Sequence, residues 1–286
     1  MSGARAAVVG QPIGHSRSPV LHRAAYAHLG LPIGYDAIDA GVPDAAELAA
    51  RLRGEAGWRG LSVTMPLKHA LVPHMDSVSD RVRRLGALNT VVVRPGTGGP
   101  SLHGENTDVD GIVRALGVEP DPGLRIAVLG AGGTAAAAAE AAATLGAAAT
   151  YFVVRDTGRA ADAVGLARGL GLSSEAIGTP EASERLPGYG VVISTLPPGA
   201  ADPWSGALPL QAMRPGSVLL DVAYDPWPSR LATAWAAAGG RVVDGLEMLL
   251  HQAVEQVLLF TGTDPGRRTE VTNVMYDAVG LPRPVR

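Results

Sequence analysis

Residues 125–147 read RIAVLGAGGTAAAAAEAAATLGA. The apolar run Ile126–Leu129 after Arg125 predicts a strand over 125–129, and the alanine-rich stretch after the glycines predicts a helix over 133–146. Between them Gly130, Gly132 and Gly133, with Ala131, Thr134 and Ala135, form a GxGGxA turn. Glycine here lets the backbone turn tightly and approach a pyrophosphate seated on the helix N-terminus. Ala135, near where the third glycine of GxGxxG falls, permits close helix–sheet packing. A second strand is predicted over 150–154, and the residues that follow it select the dinucleotide. An acidic side chain there binds the ribose 2′-hydroxyl of NAD, whereas an arginine accepts the 2′-phosphate of NADP. Arg155 and Asp156 stand side by side, so the residues alone leave both cofactors open.

Outward from this unit the βα alternation continues. Strands are predicted at 190–195, 217–221 and 241–243, and helices at 158–170, 229–238, 245–261 and 269–280. VEPDPG at 118–123 reads as a connector. Before it, strands at 6–10, 34–39, 60–64 and 90–94 alternate with helices at 19–29, 43–56 and 77–86. That alternation predicts a second, mostly parallel α/β sheet. The expected fold is therefore α/β in two domains with a cleft between them: an N-terminal substrate domain and a Rossmann dinucleotide-binding domain.

Composition narrows the function classes. With 24 basic and 27 acidic residues the net charge is −3, which offers no electrostatic footprint for nucleic acid. Zero cysteines exclude disulfides, thiol catalysis and cysteine-type metal sites. The seven histidines make no H-E-x-x-H or other metal spacing, so no metal is expected. The most apolar stretch, 126–149, is mostly Ala and Gly and contains Glu140, too weakly apolar for a membrane span. The opening MSGARAAVVG shows no signal-peptide pattern, and a cytoplasmic protein is expected. Of the 24 basic residues, 23 are Arg and one is Lys, Lys68. In a chain so biased, a retained lysine is either a chance survivor on a solvated face or a place where a compact ammonium able to give up its proton is needed, since guanidinium stays protonated.

Several short polar stretches fall at predicted strand ends, where ligand sites of open α/β sheets form. GQPIGHSRSP (10–19) places Ser16 and Ser18 just before a helix, where hydroxyl and backbone donors converge on a carboxylate or polyol. The alternative for Ser18 is helix capping, with Pro19 at the first helical position. SVTMPLK (62–68) carries Ser62, Thr64 and Lys68, ALNT (87–90) carries Asn89, and GENTDVDG (104–111) carries Glu105, Asn106, Asp108 and Asp110. In the long helix, Met248 and Gln252 are four apart and share a face. His15 is read as a structural hydrogen-bonder.

Taken in order, these stretches resemble shikimate dehydrogenases. GQPIGHSRSPVLH, GLSVTMPLK, GALNT, GENTD, GAGGTA, DVAYDPWPS and DGLEMLLHQA follow that family's signatures over nearly the whole chain. The resemblance implies NADPH-dependent reduction of 3-dehydroshikimate to shikimate, in chorismate and aromatic amino acid biosynthesis. It implies a catalytic pair of Lys68 and Asp108. Ser16 and Ser18 would hold the substrate carboxylate, with Tyr224 near that end, and Thr64, Lys68, Asn89, Asp108 and Gln252 would surround the ring hydroxyls. The cofactor would lie against residues 130–135, Arg155, Asp156, Thr195, Gly245 and Met248. The long helix would return to the first domain, giving a discontinuous substrate domain of 1–110 plus 245–286 and a Rossmann domain of 111–244. The chain departs from the family pattern at two places. Ser62 stands where the family usually has Asn, which implies a shorter or water-mediated substrate contact. The cofactor motif Asn-Arg-Thr reads Val154-Arg155-Asp156, keeping the arginine and adding an acid. These departures keep open an NAD-preferring quinate/shikimate or amino-shikimate dehydrogenase. A non-catalytic ligand sensor is the reading from another class, and the presence of both Lys68 and Asp108 argues against it. The protein is expected to act as a monomer or homodimer on a small-molecule substrate.

Overall fold

The strand read at 6–10 is β1 (Ala4–Gly10), and it is buried on both faces: Ala6 and Val8 pack into one apolar cluster, Ala7 and Val9 into another. That is why its core reads as an unbroken apolar run and not as an alternation. The structure is a computed structural model and describes residues 3–206 and 214–283. The chain forms two compact units, Met1–Asp108 with Leu249–Arg286, and Val109–Met248.

In the first unit β1 is followed by α1 (Ser18–His28), β2 (Ile33–Asp39), α2 (Ala45–Gly54), β3 (Trp58–Val63) and α3 (Leu67–Ala70). Then come β4 (Ser77–Val78), α4 (Asp80–Leu85), β5 (Thr90–Arg94) and β6 (Ser101–Glu105). Helix α1 buries Ser18, Leu21, His22, Ala25 and Tyr26, a single face at helical spacing. The six strands order as β2-β1-β3-β5-β6-β4. β2, β1 and β3 run parallel, as do β6 and β4, while β5 is antiparallel to both β3 and β6. The sheet is thus mixed, mostly parallel. Because β5 is reversed, its start lies beside the end of β3, Ser62 opposite Thr90, and beside the end of β6, Thr90 opposite Glu105. One edge of the sheet therefore gathers the ends of β1, β3 and β6 and the beginning of β5.

The reading of 77–86 as one helix is corrected. Ser77 and Val78 pair with His103 and Gly104 on β6, and Ser79 caps α4, its Oγ accepting from the Val82 N–H at 3.3 Å. A serine that satisfies a free helix N–H starts the helix there. The strand at 101–105 was not anticipated; SLHGE has too few apolar residues to read as one.

The second unit follows as α5 (Asp108–Leu116), β7 (Arg125–Leu129), α6 (Gly133–Thr144), β8 (Ala149–Val154), α7 (Ala161–Gly169), β9 (Ser173–Gly178), α8 (Thr179–Arg185) and β10 (Val191–Ser194). It ends with α9 (Asp202–Ser205), β11 (Val218–Asp221), α10 (Arg230–Ala237) and β12 (Arg241–Asp244). Its sheet is parallel throughout, ordered β9-β8-β7-β10-β11-β12. Numbered from β7, that is the 3-2-1-4-5-6 order of a dinucleotide-binding sheet, with its switch point between β7 and β10. β9 is a polar edge strand and was not read from SSEAIG. The chain returns through α11 (Gly245–Thr261) to α12 (Arg268–Val279), whose Val271, Met275 and Tyr276 join the α1 face of the first unit's core.

Candidate active site

Lys68 and Asp108 are placed by two elements ending at the same sheet edge. β3 stops after Val63, the chain turns at Thr64–Pro66, and α3 carries Lys68; Asp108 opens α5 directly after β6. Lys68 Nζ donates to Asp108 Oδ2 at 2.5 Å, with only 12% and 6% of the two side chains exposed. An ion pair so little exposed is coupled far more strongly than a surface pair. The GENTD turn explains why Asp108 is held. Asn106 Oδ1 accepts from the Asp108 N–H at 3.0 Å, Asn106 Nδ2 donates to the Ala87 carbonyl at 3.0 Å, and Arg81 donates to the Asn106 carbonyl at 2.9 Å. Glu105, from the same acidic cluster, lies apart from this pair, bound to His103 at 3.0 Å.

Asn89, immediately before β5, is the hub. Its Nδ2 donates to Asp108 Oδ1 at 2.8 Å and lies 3.0 Å from Thr107 Oγ1 and 3.2 Å from Gln252 Oε1. Its Oδ1 accepts from the Thr107 backbone N–H and the Thr90 hydroxyl, both at 2.7 Å. A backbone N–H can only donate, so the amide's orientation is fixed. Gln252 on α11 turns its Nε2 to the Leu249 carbonyl at 2.7 Å and its Oε1 to Asn89. Lys68, Asn89, Asp108 and Gln252 are thus brought together.

Ser62 lies on β3, 4% exposed. It accepts from the Tyr35 hydroxyl at 2.6 Å and donates to Gln256 Oε1 at 2.6 Å. A serine has one proton, and here it goes to Gln256. Gln256 was not singled out from the sequence, yet it is 1% exposed and its Nε2 donates to the Asn89 carbonyl at 3.1 Å and to Thr90 Oγ1 at 3.0 Å. The four-residue spacing of Met248 and Gln252, extended one more turn, reaches it.

Ser16 and Ser18 share the turn after β1. Capping by Ser18 does not occur: α1 begins at Ser18, which is buried, and Ser16 Oγ accepts from the Ser18 N–H at 3.3 Å. His22 Nδ1 donates to the Ser18 carbonyl at 3.0 Å, and its ring stacks on Tyr35 with centroids 4.0 Å apart. Burial lowers the His22 pKa to about 4, so the ring is neutral at pH 7. Thr64 is half-buried at the end of β3, its N–H donating to the Val9 carbonyl. His15 is exposed and makes no hydrogen bond among the described residues, so the structural role expected for it is not found.

In the second unit the glycine loop sits at the switch point. Gly130 has φ +106°, and a Cβ there would come within 2.8 Å of Thr195 Oγ1, which itself donates to the Leu129 carbonyl at 2.8 Å. Nothing lies within 4 Å of a Cβ built at Gly132, and α6 starts at Gly133 with no side-chain cap and no acid in its first turn. Open space before uncapped helix N–H groups fits a pyrophosphate. Ala131 and Thr134 line this turn, and Ala135 is fully buried under α6. After β8, Asp156 Oδ1 accepts from the Gly158 N–H at 3.0 Å and so caps the following turn. The Arg155 side chain is exposed and makes no hydrogen bond or ion pair among the described residues, and the same holds for the guanidinium of Arg159 in that turn, whose backbone N–H donates to the Asp156 carbonyl at 3.1 Å. Arg159 was missed by the sequence reading; its four-residue distance from Arg155 across a short helical turn was the available signal. Tyr224 is half-buried in the loop after β11. Asp221, whose carboxyl is pushed up by burial, ties that loop down by accepting from the Ser229 hydroxyl at 2.6 Å. A Cβ on Gly245 would run into the Asp221–Val222 backbone, so glycine is required there; Met248 is 7% exposed. Among the described residues no cluster of side chains could hold a metal ion, and no helix is long and apolar enough to cross a membrane.

A parallel sheet in dinucleotide-binding order, and a lysine paired with a carboxylate at a second sheet's edge, are what a dinucleotide-linked dehydrogenase needs to seat its hydride carrier and move a proton. Fold and site define that class. Comparison with known proteins narrows it. Residues 8–91 match the family model described as the shikimate dehydrogenase substrate binding domain, and residues 106–241 match that of the alanine dehydrogenase/PNT C-terminal domain. The shikimate dehydrogenase (NADP(+)) of Moorella thermoacetica is 34% identical over 268 residues, covering 90% of this chain and 88% of that protein. The crystal structure of the Mycobacterium tuberculosis shikimate dehydrogenase superimposes with a TM-score of 0.84 at 38% identity, over 96% of this chain and 99% of that one. A Thermus thermophilus shikimate 5-dehydrogenase in complex with NADP(H) and shikimate gives a TM-score of 0.78 at 32% identity, over 96% and 99%. The chain belongs to the shikimate dehydrogenase family.

Proposed function

We propose that this protein catalyses the reversible NADPH-dependent reduction of 3-dehydroshikimate to shikimate, a step toward chorismate and the aromatic amino acids. The observation that carries this reading is the Lys68–Asp108 pair, 2.5 Å apart and almost wholly enclosed. When bound, NADP supplies and accepts the hydride. Lys68 Nζ gives its proton to the ketone oxygen during reduction and removes it from the alcohol during oxidation. Asp108, held by Asn89 and Asn106, orients the ammonium and accepts from a ring hydroxyl. Thr64, Asn89 and Gln252 meet the remaining hydroxyls, Ser16 and Ser18 hold the carboxylate, and Tyr224 lies toward that end.

Residues 1–110 with 245–286 serve as the substrate domain and 111–244 as the cofactor domain. Gly130, Ala131, Gly132, Gly133, Thr134 and Ala135 cradle the pyrophosphate, and Thr195, Gly245 and Met248 serve the nicotinamide end. Arg155, helped by Arg159, takes the 2′-phosphate, because Asp156 is already engaged as a turn cap. We place the enzyme in the cytoplasm, acting as a monomer or homodimer.

Steady-state kinetics of Lys68 variants test the assignment. Lys68→Ala is expected to lower kcat by about 10²–10⁴ with KM little changed, the range for lost acid–base catalysis. Lys68→Arg, which keeps the charge beside Asp108, is expected to be comparably impaired, because guanidinium does not release its proton. An effect confined to KM would make Lys68 a binding residue only.

A further inference from the structure

Five side chains behind the Lys68–Asp108 pair form, with Asp108 at the end, one hydrogen-bonded line of six in which every donor points the same way. The Tyr35 hydroxyl donates to Ser62 (2.6 Å), Ser62 to Gln256 Oε1 (2.6 Å), Gln256 Nε2 to Thr90 Oγ1 (3.0 Å), Thr90 to Asn89 Oδ1 (2.7 Å), and Asn89 Nδ2 to Asp108 Oδ1 (2.8 Å). Ser62, Asn89, Thr90, Asp108 and Gln256 are each at most 5% exposed, and Tyr35 is 1% exposed. All six lie in the first unit, with Gln256 reaching in from α11.

Each link determines the next. Asn89 is useful to Asp108 only if its NH₂ faces the carboxylate; its carbonyl oxygen there would repel it. The Thr107 N–H on Oδ1 fixes which end of the amide faces the carboxylate, and the Thr90 hydroxyl, which can rotate, is the second donor that holds Oδ1 in place. Thr90 points its proton at Asn89 because Gln256 Nε2–H occupies its lone pair. Gln256 presents Nε2 on that side because the Asn89 carbonyl can only accept from it; its Oε1 then takes the Ser62 proton, and Ser62 turns that way because the Tyr35 O–H occupies one of its lone pairs. Aligned donors of this kind polarise one another.

We propose that Gln256 is a positioning residue for the acid–base pair: backed by Ser62 and Tyr35, it directs the Thr90 proton onto Asn89 Oδ1 and so holds Asn89, and through it the carboxylate that pairs with Lys68, in place. Ser62 acts in this line and not as a donor to substrate, its one proton being directed inward. The proposal rests on Lys68 and Asp108 being the acid–base pair.

The test is a set of kcat and KM measurements on Gln256→Met, Gln256→Glu, Asn89→Ala and the double variants, with thermal melts of each. Met keeps the volume and removes every hydrogen bond. Glu keeps the shape but offers Thr90 an acceptor where it now finds a donor, turning the Thr90 proton away from Asn89. Both are expected to lower kcat about tenfold with KM within about twofold, the scale on which slightly misplaced catalytic groups lose rate. In the Asn89→Ala background, adding Gln256→Met is expected to change kcat by less than about twofold, because coupled residues are non-additive. Where neither position-256 variant gives a cooperative melt, Tyr35→Phe, at the far end of the line, replaces them with a smaller loss of kcat and the same non-additivity. Wild-type kcat in Gln256→Glu, or full additivity with Asn89→Ala, overturns the proposal. Wild-type kcat in Lys68→Ala would instead remove the reading beneath it.

Discussion

His22 is neutral inside the first unit, its Nδ1–H on the Ser18 carbonyl and its Nε2 buried without a partner. Burial lowers its pKa from 6.5 to about 4, so between those values the unfolded chain holds a proton that the folded chain refuses. Stability from this group is complete above pH 6.5 and is lost as the pH falls toward 4. Each pKa unit corresponds to about 1.4 kcal/mol, so the wild type is expected to lose about 2 kcal/mol from this source between pH 7 and pH 5. Asp221 and Asp244 work in the opposite sense. Burial raises their carboxyl pKa, and protonation relieves them as the pH falls. They are common to wild type and His22→Phe, so urea unfolding of the two at both pH values isolates His22. The wild type should lose more stability than the variant; parallel losses would contradict the account. The sequence made Lys68 legible by rarity, one lysine beside 23 arginines, and Asn89 and Asp108 by their places at strand ends, their roles coming only from the resemblance. Gln256 stayed hidden because its meaning lies in partners far along the chain: it meets Ser62 across 194 residues and Asn89 across 167.

At the scale of elements, α11 is registered against β3 and β5 by residues four apart. Gln252 reaches Asn89, Gln256 reaches Ser62 and Thr90, and Phe260 lies on Gly60. A Cβ at Gly60 would run into the Phe260 ring and the Val91 carbonyl, so glycine there is what lets the helix sit close enough for both glutamines to reach. Gly60→Ala is expected to cost about 1–3 kcal/mol, as overpacking of a core does, read as a lower urea midpoint. An unchanged midpoint would show that the helix approaches without that clearance. Elements with strong periodicity were legible: the apolar runs of β1, β7 and β10, and the α1 face at 18, 21, 22, 25 and 26. Short polar strands were not. β6 carries Ser, His and Glu, β9 two Ser and a Glu, and both are strands because neighbouring strands supply the ladder. The reading of 77–86 failed at Ser79, where a cap divides a strand residue pair from a helix.

On the scale of the whole molecule, two α/β units divide the labour. In the second, the 3-2-1-4-5-6 order puts the Gly130 loop and Thr195 on either side of the switch point, and strand–turn–helix spacing made that legible from residues 125–147. In the first, the reversed β5 draws four strand ends to one edge. No periodicity reveals a strand's direction, so the position of Lys68, Asn89 and Asp108 at strand ends suggested a shared site, while their specific pairing was expected from the family resemblance. The resemblance implied a return to the first domain at 245; in the structure the first unit resumes at Leu249, within α11. The dinucleotide preference was open in the sequence because Arg155 and Asp156 are adjacent; the Gly158 bond that engages Asp156 is visible only in three dimensions. The most direct measurement is the absorbance of reduced nicotinamide formed by purified protein with shikimate, compared between NADP⁺ and NAD⁺. The account predicts turnover with NADP⁺ exceeding that with NAD⁺ by more than about tenfold in kcat/KM, the factor that ~1.4 kcal/mol of 2′-phosphate recognition supplies. Preference for NAD⁺, or no reduction of either cofactor by shikimate, would contradict it.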